Sequence, residues 1–432
     1  MSPGSEALKG TSDTTSYRPV MFRMGVPGNR EQLRSLLDTT PGIQVFDEIQ
    51  AQLEEFVRLS RIGLPPAAVQ GAVQEHLQGT SLSDHGVWVY YPWSRRLVHL
   101  LDEAEFVAVR TDRNRNKITR EEQERLGQLK VGVIGLSVGQ SVSLTMALER
   151  GFGEIRLADF DRLDLSNLNR IRSGIHSLGL NKVVNVAREI AEIDSFLKVV
   201  CFTEGLTKAN MDAFFSEGGD LDVLVEECDS VDIKILARQK AKAIRIPVVM
   251  DMSDRGVVDV ERFDLEPDRP LMHGWIDHLD LDAAGRPMTP EEKVPYMLPI
   301  SGVETLSARM KASVIELGQT VSAWPQLATS VVLGGALAGD VVRRIALDQF
   351  HASGRWFIDL DDLIGDSLAS GGDRASGRCP FPAECRAACN EGSAGPACGC
   401  CSSYGRAVRA LGGSRWSCTQ RGQYPAVALR IA

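Results

Sequence analysis

The chain has 432 residues, of which 43% are hydrophobic and 24% charged, so it contains ample apolar material for folded cores. Its formal net charge of −9 argues against an extended nucleic-acid surface. No apolar run reaches the roughly 18 residues of a membrane span, and the N-terminus lacks the pattern of an export signal. We therefore expect a cytoplasmic protein that is not embedded in a membrane.

Residues 1–110 are predicted to form a small N-terminal α+β module of unknown role. Helical spacing of apolar residues predicts helices at Asn29–Thr40, from Phe46 to Ile62 and at Ala67–Leu77. Apolar and aromatic runs predict strands at Val87–Tyr91, Leu97–Leu100 and Phe106–Val109. None of these segments indicates a chemistry.

Apolar runs then alternate with helical patterns between Val131 and Met250. The predicted strands are Val131–Gly135, Ile155–Asp159, Val199–Phe202, Val223–Glu227 and Val248–Met250. This alternation predicts an α/β fold, a Rossmann-like, doubly wound and mostly parallel sheet with helices on both faces. Ligands of such sheets bind beyond the carboxyl ends of the strands, so we expect functional side chains in the loops that follow them.

A loop with two glycines follows the first predicted strand and leads directly into a helix. Backbone N–H groups in such a loop, together with the positive end of the helix, can bind phosphate. Ser137 and Gln140 stand where the G-x-G-x-x-G pattern has its second and third glycines, so a tight structural turn is the alternative. Asp159 ends the second strand, about where a ribose-binding acid is expected. We predict nucleotide binding by Gly135, Ser137, Gly139 and Asp159.

The segment after the second strand favours one class of nucleotide. Asp161, Asn167 and Arg170 follow Asp159 closely, and Lys182 comes next along the chain. An NAD-dependent oxidoreductase needs one acid on the ribose and then an apolar groove for the nicotinamide. The mixture of cations and carboxylates favours a triphosphate with its Mg²⁺ instead, because cations neutralise phosphate charge and carboxylates bind the metal.

The stretch from about Arg113 to Arg255, and more loosely to Phe350, resembles the ThiF/MoeB/E1-like adenylyltransferase superfamily, whose members activate ubiquitin-like modifiers. Asp159-Phe160-Asp161 and the run Ser166-Asn167-Leu168-Asn169-Arg170 match its acidic pair and its S-N-L-N-R motif. The segment Asp112–Leu126 is similar to the arginine-containing helix before its first strand. The segment Val223–Ser230 resembles the strand that ends in its metal-binding aspartate.

The resemblance implies a role for each matching residue in binding ATP. Asp159 is expected to accept hydrogen bonds from the ribose hydroxyls, and Asp161 is expected near the metal or the phosphates. Asn167, Arg170 and Lys182 are expected to contact the phosphates.

The resemblance also implies a metal site and a pair of protomers. Asp229 is expected to bind Mg²⁺. Arg115, with Arg113 as the fallback, is expected to reach the γ-phosphate of ATP bound by the other protomer of a homodimer. Arg115, Arg170, Lys182 and Asp229 are therefore the predicted catalytic residues, with ATP and Mg²⁺ as the cofactors.

The implied reaction is adenylation of a carboxylate, giving an acyl-adenylate and pyrophosphate. The acceptor is left open between a ubiquitin-like C-terminus, a small acid and a tRNA-bound carboxylate. Cys201 and Cys228 are predicted to be small core residues, so no E1-type catalytic cysteine is expected in residues 1–370. Two alternatives are an NAD-dependent oxidoreductase and a non-catalytic nucleotide-binding scaffold.

The predicted nucleotide-binding adenylation domain spans residues 111–365. The apolar pattern from Gln319 to Phe350 resembles the family's late helix, and Ser253–Pro270 is similar to bacterial proteins that continue into a nitroreductase-like domain. Residues 366–432 form an irregular tail rich in Cys, Arg and Gly, for which disorder, metal binding and a non-native reading frame are the interpretations. We interpret the tail as the sign of a chain that lost its natural ending.

Overall fold

The computed structural model describes residues 13–365, apart from 282–287, 289, 318 and 322. The interpretations of the tail at 366–432 therefore lie outside the described residues. Of the described residues, those from 13 to 306 and from 326 to 365 form one compact unit, and those from 307 to 325 belong to a second. In the described part of the chain, no helix is both long and apolar enough to cross a membrane.

A small four-stranded sheet occupies the N-terminal part of the first unit. Its elements are β1 (Val20–Phe22), α1 (Asn29–Thr39), β2 (Gln44–Asp47), α2 (Ile49–Ser60), α3 (Val69–Leu77), β3 (Val87–Tyr91), β4 (Arg96–Leu100) and α4 (Glu103–Arg110). The strand order is β1-β3-β4-β2, with β2 parallel to β4 and the other pairs antiparallel. Leu53 and Val57 of α2 are buried with Val73 of α3, because apolar residues recur at helical spacing on both helices.

Two predictions for this region are wrong. The segment Phe106–Val109 lies in α4 rather than in a strand, because Asp102 caps that helix by accepting a hydrogen bond from the backbone N–H of Glu103 at 2.7 Å. Phe46 lies in β2, opposite Val98 of β4, so the pairing of two strands overrides the helical spacing and α2 begins only at Ile49. The other predicted helices and strands of this region are confirmed.

A seven-stranded sheet forms the rest of the first unit. The elements that follow α4 are α5 (Arg120–Leu126), β5 (Lys130–Ile134), α6 (Gly139–Glu149), β6 (Glu154–Ala158), α7 (Lys182–Ile193), β7 (Lys198–Phe202), α8 (Met211–Ser216), β8 (Val223–Glu226), α9 (Val231–Ala243), β9 (Val248–Asp251), β10 (Val257–Glu261), α10 (Pro290–Ser301), α11 (Ala308–Glu316), α12 (Ala328–Ala346), β11 (Gly354–Phe357) and α13 (Leu360–Leu363). Of these, α11 lies in the second unit. The strand order is β11-β10-β9-β8-β5-β6-β7.

The predicted α/β fold with a mostly parallel sheet is confirmed. Strands β5 to β9 are parallel, whereas β10 pairs antiparallel with β9 and with β11, an extension that the sequence does not predict. Alternate residues of a strand face opposite sides. Val223 and Val225 pack on the side of α6 and α7, while Leu224 packs on the side of α8 and α9, so helices cover both faces.

The late helix α12 packs closely against the ends of the central strands. A Cβ atom on Gly334 would lie 1.8 Å from Asp251 Oδ2, at the end of β9. A Cβ atom on Gly335 would lie 2.3 Å from Ser141 Oγ of α6. These two glycines therefore let the backbone of α12 contact β9 and α6, and the helix predicted between Gln319 and Phe350 is confirmed.

Candidate functional site

A cleft with a cavity volume of about 100 Å³ opens at the carboxyl ends of β5, β6 and β8. Its lining includes Gly135 and Ser137 after β5, Asp159, Phe160 and Asp161 after β6, Lys182 at the start of α7, Leu206, and Glu227, Cys228, Asp229 and Ile233 around the start of α9. Parallel strands end at the same edge, so loops far apart in sequence meet here. Six of the predicted site residues share this cleft.

The loop after β5 has a backbone that only glycine can adopt at its first position. Gly135 has a φ of +85°, and a Cβ atom there would lie 2.6 Å from the carbonyl oxygen of Glu227. The helix α6 begins four residues later, at Gly139, whose own Cβ would lie 2.6 Å from Val133. The chain after β5 therefore turns tightly against the loop after β8, and Gly139 serves helix–sheet packing without lining the cleft.

Asp159 connects the first two loops. Its Oδ2 accepts a hydrogen bond from Leu136 N at 2.7 Å, and its Oδ1 accepts one from Asp161 N at 2.8 Å. Burial raises the pKa of the Asp159 carboxyl, while the charge of Lys182 opposes that rise. The carboxylate thus fixes both loops, and each oxygen keeps a second lone pair for another donor.

Lys182 is a buried cation at the first position of α7. Its Nζ lies 2.8 Å from Asp161 Oδ2 and donates to Ser137 Oγ at 3.2 Å. Asn181 caps this helix, with its side chain accepting a hydrogen bond from Val183 N at 2.9 Å. Only 6% of Lys182 is exposed, so its ammonium group is held against the cleft beside the positive end of a helix dipole.

Arg170 and Asp229 lie on two different loops, and their opposite charges interact. Burial lowers the pKa of the Arg170 guanidinium, and the charge of Asp229 opposes this. Arg170 donates to Asn169 Oδ1 at 2.9 Å, but its buried Nε has no hydrogen-bond partner among the described residues. Asp229 is exposed and lines the cleft, whereas Arg170 lies beside it. An incoming acceptor atom would satisfy the guanidinium.

Besides Gly139 and Arg170, two further predicted residues stand outside the cleft lining. Asn167 Oδ1 accepts from Asp164 N at 3.1 Å in a capping box, so it holds the short 3₁₀ turn 165–169 that presents Arg170. The Arg115 side chain is 62% exposed and pairs with Asp112 at 3.0 Å. Asn167 therefore supports the loop, and Arg115 is an exposed side chain that pairs with Asp112.

Residues 111–274 match the ThiF family. This part of the chain is a ThiF domain.

Three named relatives match different lengths of the chain. The uncharacterized protein MT1398 of Mycobacterium tuberculosis is 48% identical over 277 residues, which are 64% of this chain and 38% of that protein. The tRNA threonylcarbamoyladenosine dehydratase of Bacillus subtilis is 27% identical over 154 residues, 35% of this chain and 60% of that one. Ubiquitin-like modifier-activating enzyme 5 of Aedes aegypti is 27% identical over 123 residues, 26% of this chain and 31% of that one. The chain spans less than two thirds of each.

Gln140 stands where the phosphate-loop pattern has a glycine, and its side chain makes hydrogen bonds to two other segments of the ThiF domain. Its amide nitrogen donates to the Arg172 carbonyl oxygen at 2.8 Å and to Glu189 Oε2 at 2.6 Å, and its oxygen accepts from Arg172 N at 2.9 Å. Burial raises the pKa of Glu189 to about 7. Gln140 thereby joins the start of α6 to the segment that follows Arg170 and to α7.

Sequence reasoning missed a pair of buried carboxyl groups in the ThiF domain. Glu227 Oε1 accepts a hydrogen bond from Asp251 N at 2.8 Å. Burial, with the facing charge of Asp251, raises the pKa of Glu227 well above its ordinary value, and burial raises the pKa of Asp251 to about 7. Glu227 directly follows β8 and Asp251 ends the neighbouring parallel strand β9, but the sequence does not show how close the two carboxyl groups lie.

The two cysteines of the ThiF domain have poorly ionised thiols. Burial raises the pKa of Cys201 to about 12 and raises that of Cys228 well above its ordinary value. Cys201 lies in β7, and Cys228 lines the cleft beside Asp229. Neither environment is the electropositive setting that produces a reactive thiolate.

Proposed function

We propose that this protein is an ATP-dependent adenylyltransferase that activates a carboxylate. One observation carries the proposal: Lys182, Asp161 and Asp229 line the same cleft as the tight turn at Gly135. A Rossmann-type sheet alone would suit many nucleotides, but this combination of cation and carboxylates suits a polyphosphate with a divalent metal. Phe160, Leu206 and Ile233 supply apolar surface in the same cleft for the purine.

The residues present fit magnesium and a triphosphate. Asp229 offers an exposed carboxylate at the cleft, and the buried Nε of Arg170 lacks a partner that a phosphate oxygen would supply. Asp229 would hold Mg²⁺, with Asp161 nearby. When bound, the ion neutralises phosphate charge and so lets an anion approach.

The proposed reaction needs no general base from the protein. A substrate carboxylate is already ionised at neutral pH; its oxygen forms a bond to the α-phosphorus of ATP, and the bond to the bridging oxygen breaks, so pyrophosphate leaves with the electron pair. Lys182 and Arg170 would stabilise the charge that gathers on the leaving pyrophosphate. Asp159 would orient the ribose through its free lone pairs.

The test compares matched variants in nucleotide binding and in ATP–pyrophosphate exchange. Lys182→Gln should weaken Mg·ATP binding and lower exchange by about 10²–10³-fold, the typical cost of removing one preorganised charge-stabilising group. Asp229→Asn should remove the Mg²⁺-dependent part of ATP binding. Lys208→Gln and Asp220→Asn make the same charge changes at exposed positions and should bind as wild type does. Equal affinities in all five proteins, or tighter Mg²⁺-independent binding of NAD, would refute the proposal.

We further propose that Arg115 acts on the nucleotide of a second protomer in a homodimer. Its side chain is exposed and does not line the cleft of its own chain, as an arginine that acts across an interface requires. Arg115→Ala and Lys182→Gln should each be inactive alone. Mixing them equally should restore about a quarter of wild-type exchange, because half of the dimers are mixed and each has one complete site. No recovery in a mixture that has exchanged subunits would contradict the shared site.

The acceptor is proposed to be a ubiquitin-like C-terminus, a carboxylate carried on a larger molecule such as tRNA, or a small acid. The likeness to ubiquitin-like modifier-activating enzyme 5 supports the first, and the likeness to tRNA threonylcarbamoyladenosine dehydratase supports a carboxylate carried on another molecule. Because both cysteine thiols of the ThiF domain are poorly ionised, the adenylate is proposed to be used without a thioester on this domain. Exchange assays with each acceptor class, followed by mass spectrometry of the protein, distinguish these routes.

A further inference from the structure

A histidine–glutamate cluster lies in the N-terminal region, among residues that the proposed function does not use. His76 Nε2 lies 2.6 Å from Glu105 Oε1, and His85 Nε2 lies 2.8 Å from Glu105 Oε2. The three ligand atoms lie within 4.8 Å of one another, and all three side chains are partly buried. Both imidazoles therefore direct the same ring nitrogen at one carboxylate.

Three separate elements bring these side chains together. His76 lies in the last turn of α3, His85 lies in the loop before β3, and Glu105 lies in the first turn of α4. The backbone of His85 is fixed by fully buried His99, whose Nε2 lies 2.7 Å from the His85 carbonyl oxygen. The start of α4 is fixed by Asp102, which pairs with Arg23 at 2.6 Å.

The ring positions are fixed as well. The His76 ring packs against Phe56 of α2 with centroids 5.1 Å apart, and it meets the His85 ring edge to face at 5.7 Å. The ligands thus have restricted rotamers, which lowers the entropy lost on binding an ion. Such restraint exceeds what a single hydrogen bond between a surface histidine and an acid requires.

Two imidazole nitrogens and a carboxylate form a donor set that suits Zn²⁺. Zinc binds His and Glu at about 2.0–2.2 Å, so tetrahedral ligand atoms lie about 3.3 Å apart. The present separations of 2.6 and 2.8 Å between nitrogen and oxygen need only a small widening. Each neutral imidazole would carry its proton on Nδ1 and leave the Nε2 lone pair for the ion.

We propose that His76, His85 and Glu105 form a Zn²⁺ site, with water as the fourth ligand, that joins α3, the loop before β3 and α4. The site is independent of the nucleotide cleft, and it gives the N-terminal region a metal-dependent fold element. Zinc bound by three protein ligands from three elements stabilises the folded state, because the unfolded chain does not bring them together.

The experiment titrates the full chain with Co²⁺, a coloured ion of similar ligand preference, after the accessible ones of the nine cysteines are blocked with N-ethylmaleimide. One equivalent should give tetrahedral visible bands without thiolate charge transfer, and one equivalent of Zn²⁺ should remove them. His85→Gln and Glu105→Gln should weaken binding by more than about 100-fold, beyond the 10–100-fold typical of losing a hydrogen-bond partner of a ligand. His351→Gln, which changes an exposed histidine, should bind as wild type does.

Three outcomes would overturn the site. The blocked wild-type protein binds no Co²⁺, it binds Co²⁺ with thiolate bands only, or both ligand variants bind as tightly as wild type. Circular dichroism identifies a ligand variant that has failed to fold. In that case the Co²⁺ titrations of wild type and of the other ligand variant decide whether the site exists.

Discussion

The buried pair Glu227 and Asp251 should make the stability of this protein fall as the pH rises towards neutrality. An unfolded Asp carboxyl releases its proton near pH 4, whereas burial raises the pKa of Asp251 from 3.8 to about 7 in the folded protein. Between these values the folded state binds more protons than the unfolded state. The free energy of unfolding therefore decreases with pH across that window and levels off above it.

The shift of about three pKa units sets the size of the effect. At 1.36 kcal/mol per unit, Asp251 alone would cost about 4 kcal/mol between pH 4 and pH 7. Asp251→Asn removes the titrating group and keeps an oxygen to accept from Ser253 N, now 2.9 Å from Oδ1. The amide also removes the charge that faces Glu227, so the remaining carboxyl should ionise more easily.

The assay is urea denaturation of wild type and Asp251→Asn at several pH values between about 4.5 and 7.5. The new amide nitrogen would take the place of Oδ2, which has no partner among the described residues, so a constant offset of either sign is expected. The decisive quantity is the pH dependence of the free energy of unfolding. As the pH rises, wild type should lose a few kcal/mol of stability relative to Asp251→Asn. Glu217→Gln, at an exposed carboxylate, should follow wild type. Parallel curves for wild type and Asp251→Asn would refute the reasoning.

Three further predictions concern the same domain. Gly135→Ala places a methyl group 2.6 Å from a carbonyl oxygen and should cost more stability in urea denaturation than Gly179→Ala, which has a similar φ of +83° but open space; equal losses would remove the close contact as the cause. Gln140→Ala removes the hydrogen bonds with Arg172 and should lower the free energy of unfolding by about 1–3 kcal/mol. It should also weaken ATP binding, and an unchanged ATP affinity would show that Gln140 has no effect on the neighbouring loop. Cys201, with its pKa raised to about 12, should resist alkylation at pH 8 in peptide mapping until the protein unfolds; fast labelling of native protein would contradict its burial.

Much of the fold follows from sequence periodicity alone. The five central strands are rich in apolar residues because helices cover both faces of the sheet, and such short runs stand out against the longer helical patterns between them. Strands β10 and β11 did not stand out, since they pair with each other antiparallel across a long separation in sequence. The helix α4 was missed because its apolar run Phe106–Val109 resembles a strand, while the cap at Asp102 was overlooked.

The candidate site likewise contains residues that the sequence predicts and residues that it does not. Asp159 follows β6 and Lys182 begins α7, at positions that the family resemblance specifies. The two side chains meet in one cleft because the strands are parallel and end at the same edge of the sheet. The capping role of Asn167 depends on the local turn, and the Glu227–Asp251 pair depends on the distance between two strand ends. Neither is encoded in spacing along the chain, so only coordinates reveal it.

The close packing of α12 has a consequence for how this sequence can vary. Gly334 lies against Asp251 and Gly335 against Ser141, with no room for a single methyl group at either position. Alanine at 334 therefore requires a smaller residue at 251. Alanine at 335 would also lie 2.8 Å from the backbone carbon of Ser141, which no substitution at 141 removes, so we expect homologues to keep glycine at 335. Positions 251 and 334 should then vary together, and alanine at 334 would indicate a relative that lacks the acidic pair beside the cleft.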